Sequence, residues 1–266
     1  MIRLIALDLD GTLLGPNFRI SEADQAAVVA ARDRGVQVAL NTARWYGLAQ
    51  RSARRLELET PLICHNGAHI QEPNGGAELL HLQIPTELAR EIAALCDEHG
   101  FETYCTVDGV TYMRSPHEID PQRLPNDMRL AATHAQHITA PATGFVIFGE
   151  AAVAAIVEAF GERYANELAL PIGESEGVQP YVSITAAGAD KGRALRLLCE
   201  HIGVPPEETL AIGDATPDVP MFELAATGVA MGNAPDTVKA KADAVAPSNA
   251  ESGVAWAIRR FVLESE

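Results

Sequence analysis

The chain has 266 residues, and its 36 acidic side chains outnumber the 20 basic ones, for a formal net charge of −16. No stretch gathers Lys or Arg densely enough to draw a polyanion against that field, which argues against nucleic acid as a partner. With 47% hydrophobic and 21% charged residues, the composition is that of a folded globular protein rather than a disordered or low-complexity one.

The first segment, Ile2 to Leu9, is apolar almost throughout, as expected of a strand buried on both faces of a parallel sheet, and Gly11 and Thr12 end it. Ser21 stands where an N-cap should be, with Asp24 three residues on, and the helix they open runs to Gly35. A second strand, Val36 to Leu40, leads into Asn41-Thr42-Ala43-Arg44. A helix over about Gly47 to Leu56 and a third strand over 61–64 follow, ending in His65-Asn66-Gly67-Ala68. Strand, helix, strand, helix, strand is the rhythm of a doubly wound α/β sheet. After Gln83 the pattern changes. A helix from Thr86 to His99 precedes two strand-like runs between Phe101 and Met113, with Asp108-Gly109 as a hairpin turn between them. Residues 114–144 show no period, Phe145 to Phe148 reads as a strand, Ala151 to Tyr164 as a helix, and Leu168 to Thr185 as a strand pair broken at Gly173 and Gly177. From Lys191 the α/β rhythm resumes: a helix to His201, the strand Thr209 to Ile212, a helix around Asp218 to Ala226, the strand Gly228 to Met231, and a final helix over Ser252 to Leu263. The expected architecture is a discontinuous α/β core, residues 1–82 and 188–266, with an inserted α+β unit of antiparallel sheet and helices at residues 83–187.

No apolar run approaches the ~18–20 residues that span a bilayer, so no membrane contact is expected. The N-terminal segment runs into Asp8 and Asp10 without a basic start or a small-residue cleavage site, which reads as a cytoplasmic protein. Cys64, Cys96, Cys105 and Cys199 are scattered and read as buried free thiols.

Doubly wound sheets bind ligands beyond the carboxyl ends of their strands, and each polar cluster here falls at such an end. Asp8 and Asp10 are two apart on a strand and share a face. With Asp214 and Asp218 they form a negative density that calls for a hard cation, and carboxylates with carbonyl and water suit Mg²⁺. Cys and His are dispersed along the sequence, so no zinc-type cluster is expected. Lys191, Thr42 and the amides around Gly11 and Gly67 suit the oxygens of a phosphoryl group. In this reading Asp8 attacks phosphorus to form an aspartyl-phosphate, while Asp10 protonates the leaving oxygen and then takes a proton from water. Mg²⁺ and Lys191 neutralise the transferring group.

The sequence resembles the haloacid dehalogenase superfamily of aspartate-nucleophile phosphatases, and within it the Cof-type sugar-phosphatase-like group with a large inserted cap. Asp8-Leu9-Asp10-Gly11-Thr12-Leu13-Leu14 matches the first motif, Thr42 with Arg44 resembles the second, Lys191-Gly192 with Ala194-Leu195 the third, and Gly213-Asp214 with Asp218 and Met221 the fourth. His65-Asn66-Gly67-Ala68 and Ala230-Met231-Gly232-Asn233-Ala234 resemble two further loops of the group. The resemblance implies a Rossmann-like core, a cap that closes over it, and a Mg²⁺-dependent phosphatase acting on a small phosphorylated metabolite as a monomer or homodimer. Asp8, Asp10, Asp214 and Asp218 would hold the metal; Thr42, Arg44, Lys191, Asn66, Gly67 and Asn233 would bind substrate. Asn66 and Asn233 can equally serve only to tie down their loops, and Trp45 and Tyr46 can either shape the cleft or pack under the cap.

Two departures stand out: Ala43 where the family has Gly, and Pro217 where it has Asn. Ala43 requires ordinary backbone angles, and Pro217 removes an amide and a backbone donor beside the metal loop. Two other readings share these residues: a phosphomutase of the same superfamily, and a non-catalytic phosphate-binding regulator. A phosphoacceptor receiver domain is far shorter and carries no cap. His117, His134 and His137 fit no ligand spacing and read as surface or packing histidines.

Overall fold

A computed structural model describes residues 1–173 and 179–264; Gly177, one of the expected strand breaks, lies outside them. Five parallel strands form the core sheet in the order Ala244–Val245, Thr227–Ala230, Thr209–Gly213, Leu4–Leu7, Gln37–Leu40. The first strand lies mid-sheet, with Leu4 opposite Thr209 on one side and Gln37 on the other. Alternation along it feeds two cores. Ile5 and Leu7 pack with Val28, Ala49, Val254 and Ile258 from the helices on one face. Leu4 and Ala6 pack with Leu195, Leu198 and Met221 on the other. The helix Glu22–Asp33 begins as its sequence indicates: Ser21 Oγ accepts from the Asp24 amide at 3.0 Å. Buried Asp24 also accepts from the Ala255 amide at 2.7 Å, which ties the first helix to the last. That last helix spans the expected length but changes character, an α-helical Gly253–Ile258 continuing as a π-helix over Arg259–Leu263.

The expected third parallel strand is different in the structure. Leu62–Cys64 joins the core sheet only through the bridge Asn41–Ile63, and otherwise starts a separate antiparallel sheet with His69–Gln71 and Glu78–His81. The reason is local: His65, Asn66 and Gly67 all have positive φ (49°, 52° and 96°), and this left-handed turn sends the chain straight back along itself.

The inserted sheet runs Leu168–Ala169, Tyr181–Ala186, Ala142–Phe148, Glu102–Val107, Val110–Arg114, Met128–Leu130, with Ile172–Gly173 also pairing to Tyr181–Ala186. All its pairings are antiparallel except that of Val110–Arg114 with Met128–Leu130. Asp108 and Gly109 have φ of 48° and 73°, the left-handed pair that a tight two-residue hairpin requires. Helices Thr86–His99 and Glu150–Phe160 bury Ile92, Cys96, Phe145, Ile147, Ile156 and Ile184 against one face of this sheet. Its other face meets the core: Tyr104 stacks on Trp45 with ring centroids 6.1 Å apart, and Ile172–Gly173 rests on the turn Thr216–Asp218. All four cysteines are buried free thiols, Cys64 and Cys199 in the core and Cys96 and Cys105 in the inserted unit. Among the described residues no helix is long and apolar enough to cross a membrane.

Candidate active site

The carboxyl edge of the core sheet assembles residues that are far apart in sequence. Asp8 leaves the first strand and Asp214 leaves Thr209–Gly213, which pair side by side. Lys191 is the first residue of the helix Lys191–Ile202, whose N-cap Asp190 accepts from the Arg193 amide at 2.7 Å. All three side chains are buried, as is Asp218. Lys191 Nζ donates to Asp8 Oδ1 at 2.7 Å and to Asp218 Oδ1. Asp218 Oδ2 accepts from the amides of Asp214 and Ala215, both at 2.9 Å, and so shapes the loop that carries Asp214. Thr12 Oγ1 donates to Asp214 Oδ1 at 2.9 Å.

Three buried carboxylates against one ammonium leave an excess of two negative charges. Asp8, Asp214 and Asp218 each offer an oxygen within 4.8 Å of the others. That all-oxygen set and its charge fit a hard divalent cation such as Mg²⁺. Burial raises the Asp8 carboxyl above its ordinary range; Lys191 opposes this, and Asp218 and Asp214 push it further up. Burial alone would lower Lys191, but Asp218 and Asp8 beside it hold the ammonium above its ordinary value. A cation among the carboxylates acts on Asp8 in the same sense as Lys191, towards the ionised form.

Asp10 lies apart from this cluster. Its carboxylate is 43% exposed and receives both arms of Arg44, Nε at 2.6 Å and Nη2 at 2.5 Å, a bidentate pair. Arg44 is therefore spent on Asp10. Buried Thr42 accepts from the Arg44 amide at 3.2 Å, and its backbone holds the Asn66 amide at 3.0 Å and Ile63 O at 2.9 Å. Asn233 ties loops together: Nδ2 donates to Gly11 O at 2.8 Å, and Oδ1 accepts from the Asn249 amide at 2.9 Å. Asn66 does the opposite, with both amide atoms buried and without a partner in the chain. Gly67 has to be glycine, because a Cβ there would lie 2.4 Å from Asp190 O. At Gly11, with φ +80°, a Cβ would lie 2.1 Å from Asp214 Oδ2.

Both departures from the family pattern find room. Ala43 is not among the positive-φ residues. Pro217 occupies the first turn of Thr216–Asp218, where a backbone N–H has no helical partner to lose, and the loop is held by Asp218 instead.

Four residues that sequence reasoning did not single out join this edge or the contact between core and insert beside it. Thr12 was legible as part of the first motif, and Asn41, whose Nδ2 donates to Lys191 O at 3.0 Å, as the neighbour of Thr42. Tyr181 comes from the inserted sheet and carried no signal. It is close enough to the charged cluster that burial raises its phenol, Lys191 opposes this, and Asp8, Asp10 and Asp218 add to it, so it stays a protonated O–H donor. His65 is buried with neither ring nitrogen partnered. Trp45 packs under the insert with Met113 and Met128 and donates to Asp127 Oδ2 at 2.9 Å. Tyr46 OH donates to Glu72 O at 2.6 Å and accepts from the Gly75 amide at 2.8 Å.

Histidine placement corrects one expectation. His134 is a packing histidine, held by Asp97 and Thr103 O, and His137 stacks on Tyr112 at 4.3 Å. However, His69, Glu78 and His81, dispersed in sequence, come together across the antiparallel sheet that replaces the expected parallel strand. They line a cavity of about 810 Å³ between core and insert, with Trp45, Tyr46 and His65 on one side and Thr106, Asp127 and Thr143 on the other.

The family model described as haloacid dehalogenase-like hydrolase matches residues 5–258. Pyridoxal phosphate phosphatase YbhA of Escherichia coli is 32% identical over 98% of this chain and 99% of its own. The 5-amino-6-(5-phospho-D-ribitylamino)uracil phosphatase YcsE of Bacillus subtilis is 31% identical over 98% and 96%. Among solved structures, a haloacid dehalogenase-like hydrolase from B. subtilis superimposes with a TM-score of 0.83 at 25% identity, over 98% of this chain and 100% of that one.

Proposed function

The chain belongs to the haloacid dehalogenase-like hydrolases, and we propose that it is a Mg²⁺-dependent phosphatase that hydrolyses phosphomonoesters of small metabolites, sugar phosphates or similar compounds. The observation that carries this reading is the buried Asp8–Lys191–Asp218 chain beside Asp214 at the carboxyl edge of the parallel sheet. Asp8, Asp214 and Asp218 would hold Mg²⁺, which supplies charge neutralisation for the phosphoryl oxygens. Asp8 offers a carboxylate oxygen to phosphorus, forming an aspartyl-phosphate as the ester oxygen leaves. Asp10, 43% exposed and oriented by Arg44, would in its protonated form give that oxygen its proton, and as the resulting carboxylate would remove one from the hydrolytic water. Lys191 holds its ammonium against the transferring group, and the Gly11 and Gly67 loops present backbone amides.

We read residues 1–82 and 188–266 as the core and 83–187 as a cap that closes over it. The cap brings Tyr181, Ser183 and Thr185 to the core loops; the hydroxyls of Ser183 and Thr185 are buried without partners in the chain, as is the Asn66 amide. These groups are suited to the hydroxyls or ring heteroatoms of a small substrate. A phosphate-binding regulator without turnover would owe its loss of activity to Pro217, and Pro217 fits its turn without disturbing the carboxylates. The test is phosphate release from a panel of pyridoxal phosphate, sugar phosphates and nucleotides, with and without Mg²⁺. Metal-dependent release that is absent in Asp8→Asn supports the reading; equal release from both proteins would defeat it.

A further inference from the structure

We propose that His69, His81 and Glu78 form a second metal site, separate from the carboxylate cluster and suited to a late first-row transition-metal dication of the Zn²⁺ kind. The three residues converge on one point. His69 Nε2 lies 2.8 Å and His81 Nδ1 3.1 Å from the same oxygen, Glu78 Oε1. Each of the three offers a ligand atom within 4.8 Å of the other two, close to what neighbouring ligands in a tetrahedral shell require.

The backbone sets this convergence. His69 and His81 are directly paired across two antiparallel strands, which brings their rings together, tilted by 30° with centroids 4.5 Å apart. The register shift after Ile70 brings Glu78 round to the same side. The orienting group a metal-bound imidazole needs is also in place. His81 turns its other nitrogen, Nε2, to Thr143 Oγ1 at 2.9 Å, which fixes the ring so that Nδ1 points at Glu78.

Two imidazoles and one carboxylate are a borderline-soft set, distinct from the all-oxygen set of Asp8, Asp214 and Asp218, so the two sites should sort cations by hardness. Three protein ligands leave one position of a tetrahedral shell to a water or a further donor, and all three residues line the cavity. The buried His65 ring lines the same cavity with both nitrogens unpartnered in the chain, a further nitrogen donor in the same space.

The test is a calorimetric titration of the full chain, stripped by chelator, with Zn²⁺ in the presence of excess Mg²⁺. One equivalent of Zn²⁺ should bind. Glu78→Gln and His81→Asn, both at partly exposed positions, should weaken it by at least about tenfold, since loss of an outer partner alone typically costs that much. His69→Ala should abolish it. Because His69 is buried, the first two variants decide between the outcomes if the third fails to fold. Co²⁺ in place of Zn²⁺ should give a visible absorption band that disappears in His81→Asn. Zn²⁺ binding unchanged in Glu78→Gln and His81→Asn, Zn²⁺ displaced by Mg²⁺, or no Zn²⁺ bound would each overturn the proposal. None of these outcomes depends on phosphatase turnover.

Discussion

The carboxylate edge of the core and the seam between core and cap solve burial of polar groups in opposite ways. At the edge, the charged groups find partners inside the chain even though the cluster keeps an excess of negative charge: Lys191 sits between Asp8 and Asp218, Asp218 also holds two amides, and Asp10 is clasped by Arg44. At the seam, His65, Asn66, Ser183 and Thr185 are buried with side-chain atoms that find no partner in the chain. Buried polar groups are normally satisfied, so these two patterns differ in purpose. The edge is organised before any ligand arrives and suits chemistry common to all phosphomonoesters. The seam leaves its bonds to be completed from outside, which suits selection.

The contrast can be tested by changing each side in turn. The largest effect should come from Asp8→Asn, which keeps the shape of the edge and removes the proposed nucleophile; turnover should fall by roughly 10⁴-fold or more, measured as phosphate release. Lys191→Met should come next. It strands Asp8 and Asp218 as buried carboxylates without their ammonium and should destabilise the fold by about 3–5 kcal/mol in denaturant melts without Mg²⁺, and Mg²⁺ should restore part of the loss.

At the seam, His65 predicts a pH effect. Burial lowers its pKa from 6.5 to about 3, with His69 and His81 contributing, so the folded chain keeps it neutral while the unfolded chain protonates it below pH 6.5. The unfolded state then binds more protons, and stability falls as pH drops from 6.5 towards 3, with a limiting slope of about 1.4 kcal/mol per pH unit from this group. His65→Asn, which tolerates the positive φ, should show a correspondingly flatter acid limb when melts at about pH 6 and about pH 4 are compared with wild type. The smallest effect should be that of Pro217→Asn. Stability should change by no more than about 0.5 kcal/mol and turnover by no more than about twofold, because Asp218 and not residue 217 holds the loop.

The core edge was legible in the sequence because its parts are local. Asp8-x-Asp10-Gly11-Thr12, Thr42-Ala43-Arg44 and Gly213-Asp214 each lie at a strand end, and strand ends in a parallel sheet share one edge. The seam was not legible, because it depends on pairings between strands. The left-handed turn at His65 to Gly67 turned an expected parallel strand into a hairpin, and that hairpin set His69 opposite His81. Tyr181 reaches the charged cluster only through the packing of one sheet on another. Asn233 shows a third limit: its position beside the site was readable, but its work on Gly11 and Asn249 depends on which loops happen to be neighbours.

The four buried cysteines give the molecule an internal reporter of opening. Burial raises every one of these thiols, Cys96 to about 12 and Cys64, Cys105 and Cys199 likewise upward, so the folded chain presents almost no reactive thiolate. An alkylating reagent can therefore mark a cysteine only when its surroundings come apart. With two thiols in the cap and two in the core, the order in which the four are labelled would record which half of the protein loosens first, without any added probe.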